Sequence, residues 1–206
     1  LVGAPSDHGG LWDPADPDRG APPAFEPGAG ALPGFRGFER LQITVADLDE
    51  ASAVFEDVLG FEACGDVPAP ADEDGLPLRA SANVDARARP SCARVLRSPF
   101  LNLELVECPP FPGQRTLWPA MFDVGGWHLA FYVDDVDAAY ARLERCDVHL
   151  LGAKKPSYHD EAGVDAYTVH CLAPFGLLFE LVTYPHGRDG EATRTTSAWH
   201  PGHPTR

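Results

Sequence analysis

The chain has 206 residues, 44% of them apolar, and a formal net charge of −15. That length and composition suit one globular domain or two small intimate ones, and the acidic balance argues against nucleic acid or an anionic membrane as a partner, since both demand a basic footprint. Five cysteines with no CxxC pair argue against a zinc finger or a disulfide framework. No apolar run approaches the ~18 residues of a membrane span, and the first residues lack the basic-then-apolar layout of a secretion signal, so a cytoplasmic protein is expected.

Residues 1–35 are rich in Pro, Gly and Asp and carry no apolar period, which predicts an extended arm that Trp12 and Phe25 would pin down. A first module is expected over 36–115. Its opening strand alternates Leu41, Ile43 and Val45 with Arg40, Gln42 and Thr44. Asp47 then caps a helix whose apolar residues Leu48, Ala51, Val54, Phe55, Val58 and Leu59 follow helical spacing as far as Gly60. The segment from Asp66 to Pro90 is acidic and reads as a solvated loop, and FLNLELVE reads as the closing strand.

A second module is expected over 116–185. Trp118, Phe122 and Trp127 precede it at the crossing and read as packing residues or as the wall of an apolar ligand site. Its first strand alternates Leu129, Phe131 and Val133 with His128, Ala130 and Tyr132, its helix carries Val136, Ala139, Tyr140 and Leu143, and LLFELVTY closes it. The two modules superpose as sequences: Leu41 pairs with Leu129, Val45 with Val133, Asp47 with Asp135 and Asp49 with Asp137. An internal repeat of this kind predicts one βαβββ unit used twice. Residues 186–206 read as a polar tail that Trp199 would tack down.

If the apolar strand positions pack on the helices, the opposite parity defines a second face. That face takes Arg40, Gln42, Thr44, Asn102 and Glu104 from the first module and His128, Tyr132, Leu178 and Glu180 from the second. Charges inside apolar strands are costly unless paired, protonated or metal-bound, so four such positions on one face mark a candidate site. Gln42, Asn102 and Tyr132 would offer hydrogen bonds to a substrate, and His170 reads as a further substrate-binding residue or acid/base. His149 and His159 lie in or near the later strands and loops of the second module. The cysteines read as small core hydrophobes.

The stretches LQITVADLDEASAVFEDVLGF, LNLELVE, HLAFYVDDVDAAYARL and APFGLLFELV, in this order over about residues 38 to 185, resemble the vicinal oxygen chelate superfamily of glyoxalases, bleomycin-resistance proteins and extradiol dioxygenases. The resemblance implies an α+β fold in which two βαβββ modules form a cup-shaped mixed sheet with helices packed outside. It also implies one divalent first-row metal (Fe, Mn, Co, Ni or Zn), with ligands on the first and last strand of each module. Carried over, these fall on Glu104, His128 and Glu180, while the fourth position holds Arg40, which has no lone pair to offer a metal. A second departure is the turn APFG, with Ala173 and Phe175 where relatives tend to carry Asp.

The expected chemistry is that of an isomerase, epimerase or lyase, in which vicinal oxygens on the metal stabilise an enolate or related oxyanion while Glu180 or Glu104 moves a proton. Extradiol cleavage is less favoured, because one histidine maps where that chemistry uses two. Two other classes stand beside this reading: a metal-free cup that binds or sequesters an aromatic or drug-like ligand, and a metal-free acid/base enzyme using His128 and Arg40. Arg40 itself has three readings, as an internal cation for Glu104 and Glu180, as a clamp for a substrate carboxylate or phosphate, or as an exposed residue on a frayed or shifted strand. The expected partner is a small molecule, and a homodimer is compatible with the sequence.

Overall fold

The computed structural model describes residues 32–33, 38–68, 84–99, 101–157 and 165–186. The arm with Trp12 and Phe25, His159, the tail with Trp199 and most of the acidic loop lie outside them. The described residues form two compact units that divide between Thr116 and Leu117. Among them, no helix is long and apolar enough to cross a membrane.

The first unit runs β1 (Leu41–Val45), α1 (Leu48–Ala53), β2 (Glu62–Pro68), β3 (Cys92–Ser98) and β4 (Leu101–Glu107), with sheet order β1-β4-β3-β2. β1 lies parallel to β4, Leu41 opposite Leu103 and Gln42 opposite Glu104, while β2-β3 and β3-β4 are antiparallel. The Asp47 carboxylate accepts from the Glu50 amide and starts α1, satisfying one of the amides that a helix start leaves without a partner. Leu48, Ala51, Val54 and Phe55 are buried with Ile43, Val45, Leu96, Leu103 and Leu105. These residues form the core between the helix and one face of the sheet.

Two expectations for this unit need correction. The helix does not remain α-helical to Gly60: it widens into a π-helical turn over Val54–Val58, with the Leu59 amide bonded to the Val54 carbonyl at 3.2 Å. The wider turn buries the consecutive residues Val54 and Phe55, and Phe61 closes edge-on against Phe55 at 5.4 Å. The acidic segment does not begin as a loop, because Asp66, Val67 and Pro68 belong to β2, opposite Arg94, Ala93 and Cys92. Arg94 donates to both carboxylate oxygens of Asp66, and this hydrogen bonding holds the Asp66 carboxyl below its ordinary range.

The second unit runs β5 (Leu129–Tyr132), α2 (Val136–Leu143), β6 (His149–Leu150), β7 (Lys155–Pro156), β8 (Tyr167–Leu172) and β9 (Leu178–Thr183). Its sheet order is β5-β9-β8-β6, and β7 also pairs with β8. β5 and β9 are parallel, so here too the first strand lies beside the last. Asp135 caps α2 by accepting from the amides of Asp137 and Ala138, as Asp47 caps α1. Val136, Leu143, Val169, Cys171, Phe179 and Leu181 are buried, and Phe131 meets Phe179 edge-on at 6.1 Å.

All five cysteines are free. Cys108 and Cys171 are buried, as expected for small hydrophobes, but Cys64 on β2 is exposed and is not a core residue. Burial pushes the Cys171 thiol up to about 12, so it is neither a thiolate nor a nucleophile at neutral pH.

Candidate functional site

In the second unit, register gathers the polar residues on one sheet face. Glu180 on β9 lies opposite Ala130 of β5 on one side and opposite His170 of β8 on the other. His128 immediately precedes β5 and shares the parity of Ala130. The result is a carboxylate between two imidazoles: His128 Nε2 is 3.2 Å from Glu180 Oε1, and His170 Nε2 is 3.4 Å from Glu180 Oε2. The two rings stand 6.3 Å apart.

Thr168 completes the cluster by donating its hydroxyl to Glu180 Oε2 at 2.7 Å. The Glu180 side chain is 17% exposed and Thr168 is 6% exposed, so the carboxylate is largely removed from water and its orientation is held by a fixed donor. A positioned carboxylate flanked by imidazoles has the parts needed to take up, relay and return a proton. Tyr132 lies on the same face, in register with Val182.

Arg40, Gln42, Asn102 and Glu104 belong to the first unit. Arg40 Nε lies 3.1 Å from Glu104 Oε2, and its Nη1 is 3.3 Å from Glu39. The guanidinium is thus paired with Glu104 and Glu39, both of its own unit. Gln42 is exposed beside Glu104 in register. Asn102, 1% exposed, donates its amide to the Glu39 carbonyl at 2.9 Å, so this side chain anchors the approach to β1.

The donor types in the second unit, imidazole Nε2 and carboxylate oxygen, suit a first-row divalent ion. Among the described residues, no three His, Cys, Asp or Glu side chains are gathered as a ready metal-binding group. The fit is therefore one of donor chemistry, carried by His128 and Glu180.

The aromatic residues of the crossing divide. Trp118 meets Trp127 at a tilt of 51°, ring centres 5.1 Å apart, and donates its indole N–H to the Phe175 carbonyl at 3.1 Å. Phe122 is 93% exposed and does not pack. The turn APFG closes through Gly176 N to the Ala173 carbonyl and Ala173 N to the Leu177 carbonyl, with Gly176 at a φ of +93° directly under Trp118. This clamp fixes the turn that leads into β9 and so into Glu180.

Three polar residues on these faces were missed by the sequence reading: Thr168, Arg97 and Glu62. Thr168 was detectable, because it stands two residues before His170 on a strand where alternate residues share a face. Arg97 and Glu62 become visible only through the pairing of β3 with β4 and β2.

Residues 40–168 match the sequence profile of the glyoxalase/bleomycin resistance protein/dioxygenase superfamily. The chain is 33% identical over 172 residues to a 2-epi-5-epi-valiolone epimerase from an Actinomyces species, covering 82% of this chain and 91% of that protein. Among solved structures, a glyoxalase family protein from Bacillus cereus matches with a TM-score of 0.54 at 19% identity, over 78% of this chain and 100% of its own. One from Enterococcus faecalis matches with a TM-score of 0.52 at 17% identity, over 72% and 98%. The repeated β-sheet units and the matched profile together place the chain in the glyoxalase/bleomycin resistance protein/dioxygenase superfamily, to which it belongs.

Proposed function

We propose that the chain is an epimerase that inverts a carbon beside the carbonyl of a small ketone of the 2-epi-5-epi-valiolone type. The observation that carries this reading is the Glu180 carboxylate, held by Thr168 and flanked by His128 and His170. Its support from relatives is the likeness to the 2-epi-5-epi-valiolone epimerase.

A hydrogen beside a carbonyl is acidic because the C–H electron pair can move onto the carbonyl oxygen. Glu180 takes that proton, giving an enol or enolate; a proton from water enters on the opposite face and gives the epimer, and the proton held by Glu180 passes to the hydroxide that is left. His170 lies against the same carboxylate oxygen that receives the Thr168 hydroxyl, which places it to exchange the proton with Glu180. His128 lies against the other oxygen and orients the carboxylate. A divalent metal held by His128 and Glu180 would, when bound, polarise the carbonyl oxygen.

A metal-free acid/base enzyme is the second reading. It is favoured by Arg40, which occupies a ligand position of the family and already neutralises Glu104. Incubation of the purified protein with 2-epi-5-epi-valiolone, followed by proton NMR, tests the reaction. Appearance of the epimer supports it, and unchanged substrate refutes it. Metal analysis of the same sample separates the two readings.

A further inference from the structure

The sheet face of the second unit that carries Glu180 also carries a cation that the proton chemistry does not use. Thr168 of β8 is opposite Val182 of β9, Val182 is opposite Tyr132 of β5, and Lys155 of β7 is opposite Thr168. Directly opposite residues share a face, so Tyr132, Val182, Thr168 and Lys155 form one cross-strand row. Ala130, Glu180 and His170 form the row beside it. Lys154 gives an independent check of the parity. It turns to the helix side, where its Nζ donates to Asp137 of α2 at 2.8 Å and stands 4.4 Å from the centre of the Tyr167 ring. Lys155, the next residue, therefore points to the opposite face, that of Glu180.

Lys155 is the only lysine or arginine on the described strands of this unit. It is exposed, and whereas Lys154 is matched by Asp137, Lys155 has no carboxylate partner among the described residues. Its three N–H donors can therefore meet a ligand lying over Thr168 and Val182. Strand spacing decides which part of a ligand they reach. With strands about 4.8 Å apart and a rise of about 3.3 Å per residue, the Cα atoms of Lys155 and Glu180 are about 12 Å apart. An extended lysine stem covers about half of that span. The remaining ~6 Å matches a carbon over Glu180, a hydroxyl across a six-membered ring from it, and one hydrogen bond. The carbonyl oxygen beside the reacting carbon lies too close to Glu180 to be the partner.

We infer that Lys155 is a specificity-determining residue, whose ammonium holds a substrate hydroxyl on the side of the ring remote from the carbon that Glu180 deprotonates. The inference rests on the proposed ketone epimerase reading for the identity of that carbon. A hydrogen bond from a charged donor is about twice as strong as one between neutral groups, and no carboxylate among the described residues competes for this one. The oxygen it holds does not change charge in the reaction. Lys155 therefore selects polyhydroxylated ketones over bare ones and takes no part in moving the proton.

The test uses the full chain and two probes. One is 2-epi-5-epi-valiolone; the other, 2-hydroxycyclohexanone, keeps the ketone and an adjoining hydroxyl-bearing carbon but has no remote oxygen. Hydrogen exchange at that carbon in D2O, followed by proton NMR, gives kcat/KM for each probe with the wild type, Lys155→Met and Lys155→Arg. Lys155→Met should lower the preference for 2-epi-5-epi-valiolone over 2-hydroxycyclohexanone about tenfold or more, and Lys155→Arg should restore part of it. Calorimetry in a Glu180→Gln background should show the Kd for 2-epi-5-epi-valiolone raised about tenfold or more when Lys155→Met is added. The inference is overturned if Lys155→Met leaves that Kd unchanged, or if it slows exchange of both probes by the same factor, as enolate stabilisation or misfolding would. If 2-epi-5-epi-valiolone binds in a Lys155-dependent way and neither probe exchanges, the functional reading fails and the role of Lys155 stands. If both exchange with a preference that ignores Lys155, the reverse holds. Absence of any binding to the Glu180→Gln protein overturns both.

Discussion

Gly176→Ala tests whether the Trp118 clamp holds the turn that delivers β9. At a φ of +93° a side chain is strained, at a cost of about 1–3 kcal/mol. The new Cβ would also stand 2.9 Å from Trp118 Cδ1, closer than a carbon contact allows, so the indole must shift. That movement weakens the bond from Trp118 Nε1 to the Phe175 carbonyl, worth about 1 kcal/mol, and the contact with Trp127, worth about 0.5–1.5 kcal/mol. Since the ring moves without losing every contact, a total of about 2–4 kcal/mol is expected, a fall in Tm of roughly 5–15 °C for a protein of this size. Thermal unfolding followed by circular dichroism measures it. Repeating the substitution on a Trp118→Leu background removes the collision and leaves the backbone strain, so a coupling of about 1 kcal/mol between the sites is expected. A Gly176→Ala protein within about 0.5 kcal/mol of wild type, or strict additivity with Trp118→Leu, would refute the clamp.

Leu103 is fully buried beside Leu96 and Leu41, so Leu103→Ala should lose about 2–5 kcal/mol in urea unfolding, and a loss below about 1 kcal/mol would contradict the assigned core face of β4. Cys171 is fully buried, with its thiol pushed up to about 12 by burial. It should therefore escape iodoacetamide at pH 8 in the native protein and react only after unfolding, as read by mass spectrometry of the peptides. Rapid alkylation of native Cys171 would show that β8 is more open than described.

Much of the scaffold was legible because it depends on short-range patterns. Asp47 and Asp135 stand where an alternating strand gives way to a helical stripe, and each proves to be a cap. The leucines at 103 and 105 and the glutamate at 104 announce two faces by parity alone. The π-helical turn was hidden because Val54, Phe55 and Val58 fit α-helical spacing equally well, and only packing against the sheet decides between the two. The end of β2 was hidden for another reason. Asp66 and Pro68 are exposed, so that stretch has no apolar rhythm, and its strand form comes from pairing with β3 and from Arg94. In the candidate site, alignment of the repeats placed His128 in the position of Arg40 and Glu180 in that of Glu104. The closeness of His170 and Thr168 to Glu180, and the row through Lys155, depend on lateral strand register, which a linear sequence does not display.

The central claim is that Glu180 moves the proton, and deuterium exchange measures it most directly. With 2-epi-5-epi-valiolone in D2O, the wild type should wash deuterium into the inverted carbon as the epimer forms. Glu180→Gln keeps the shape of the side chain but removes the base, and should lower both exchange and epimerisation about 10²–10⁴-fold while the protein stays folded. Exchange at the wild-type rate in Glu180→Gln, or epimerisation without any deuterium entering the inverted carbon, would contradict the account.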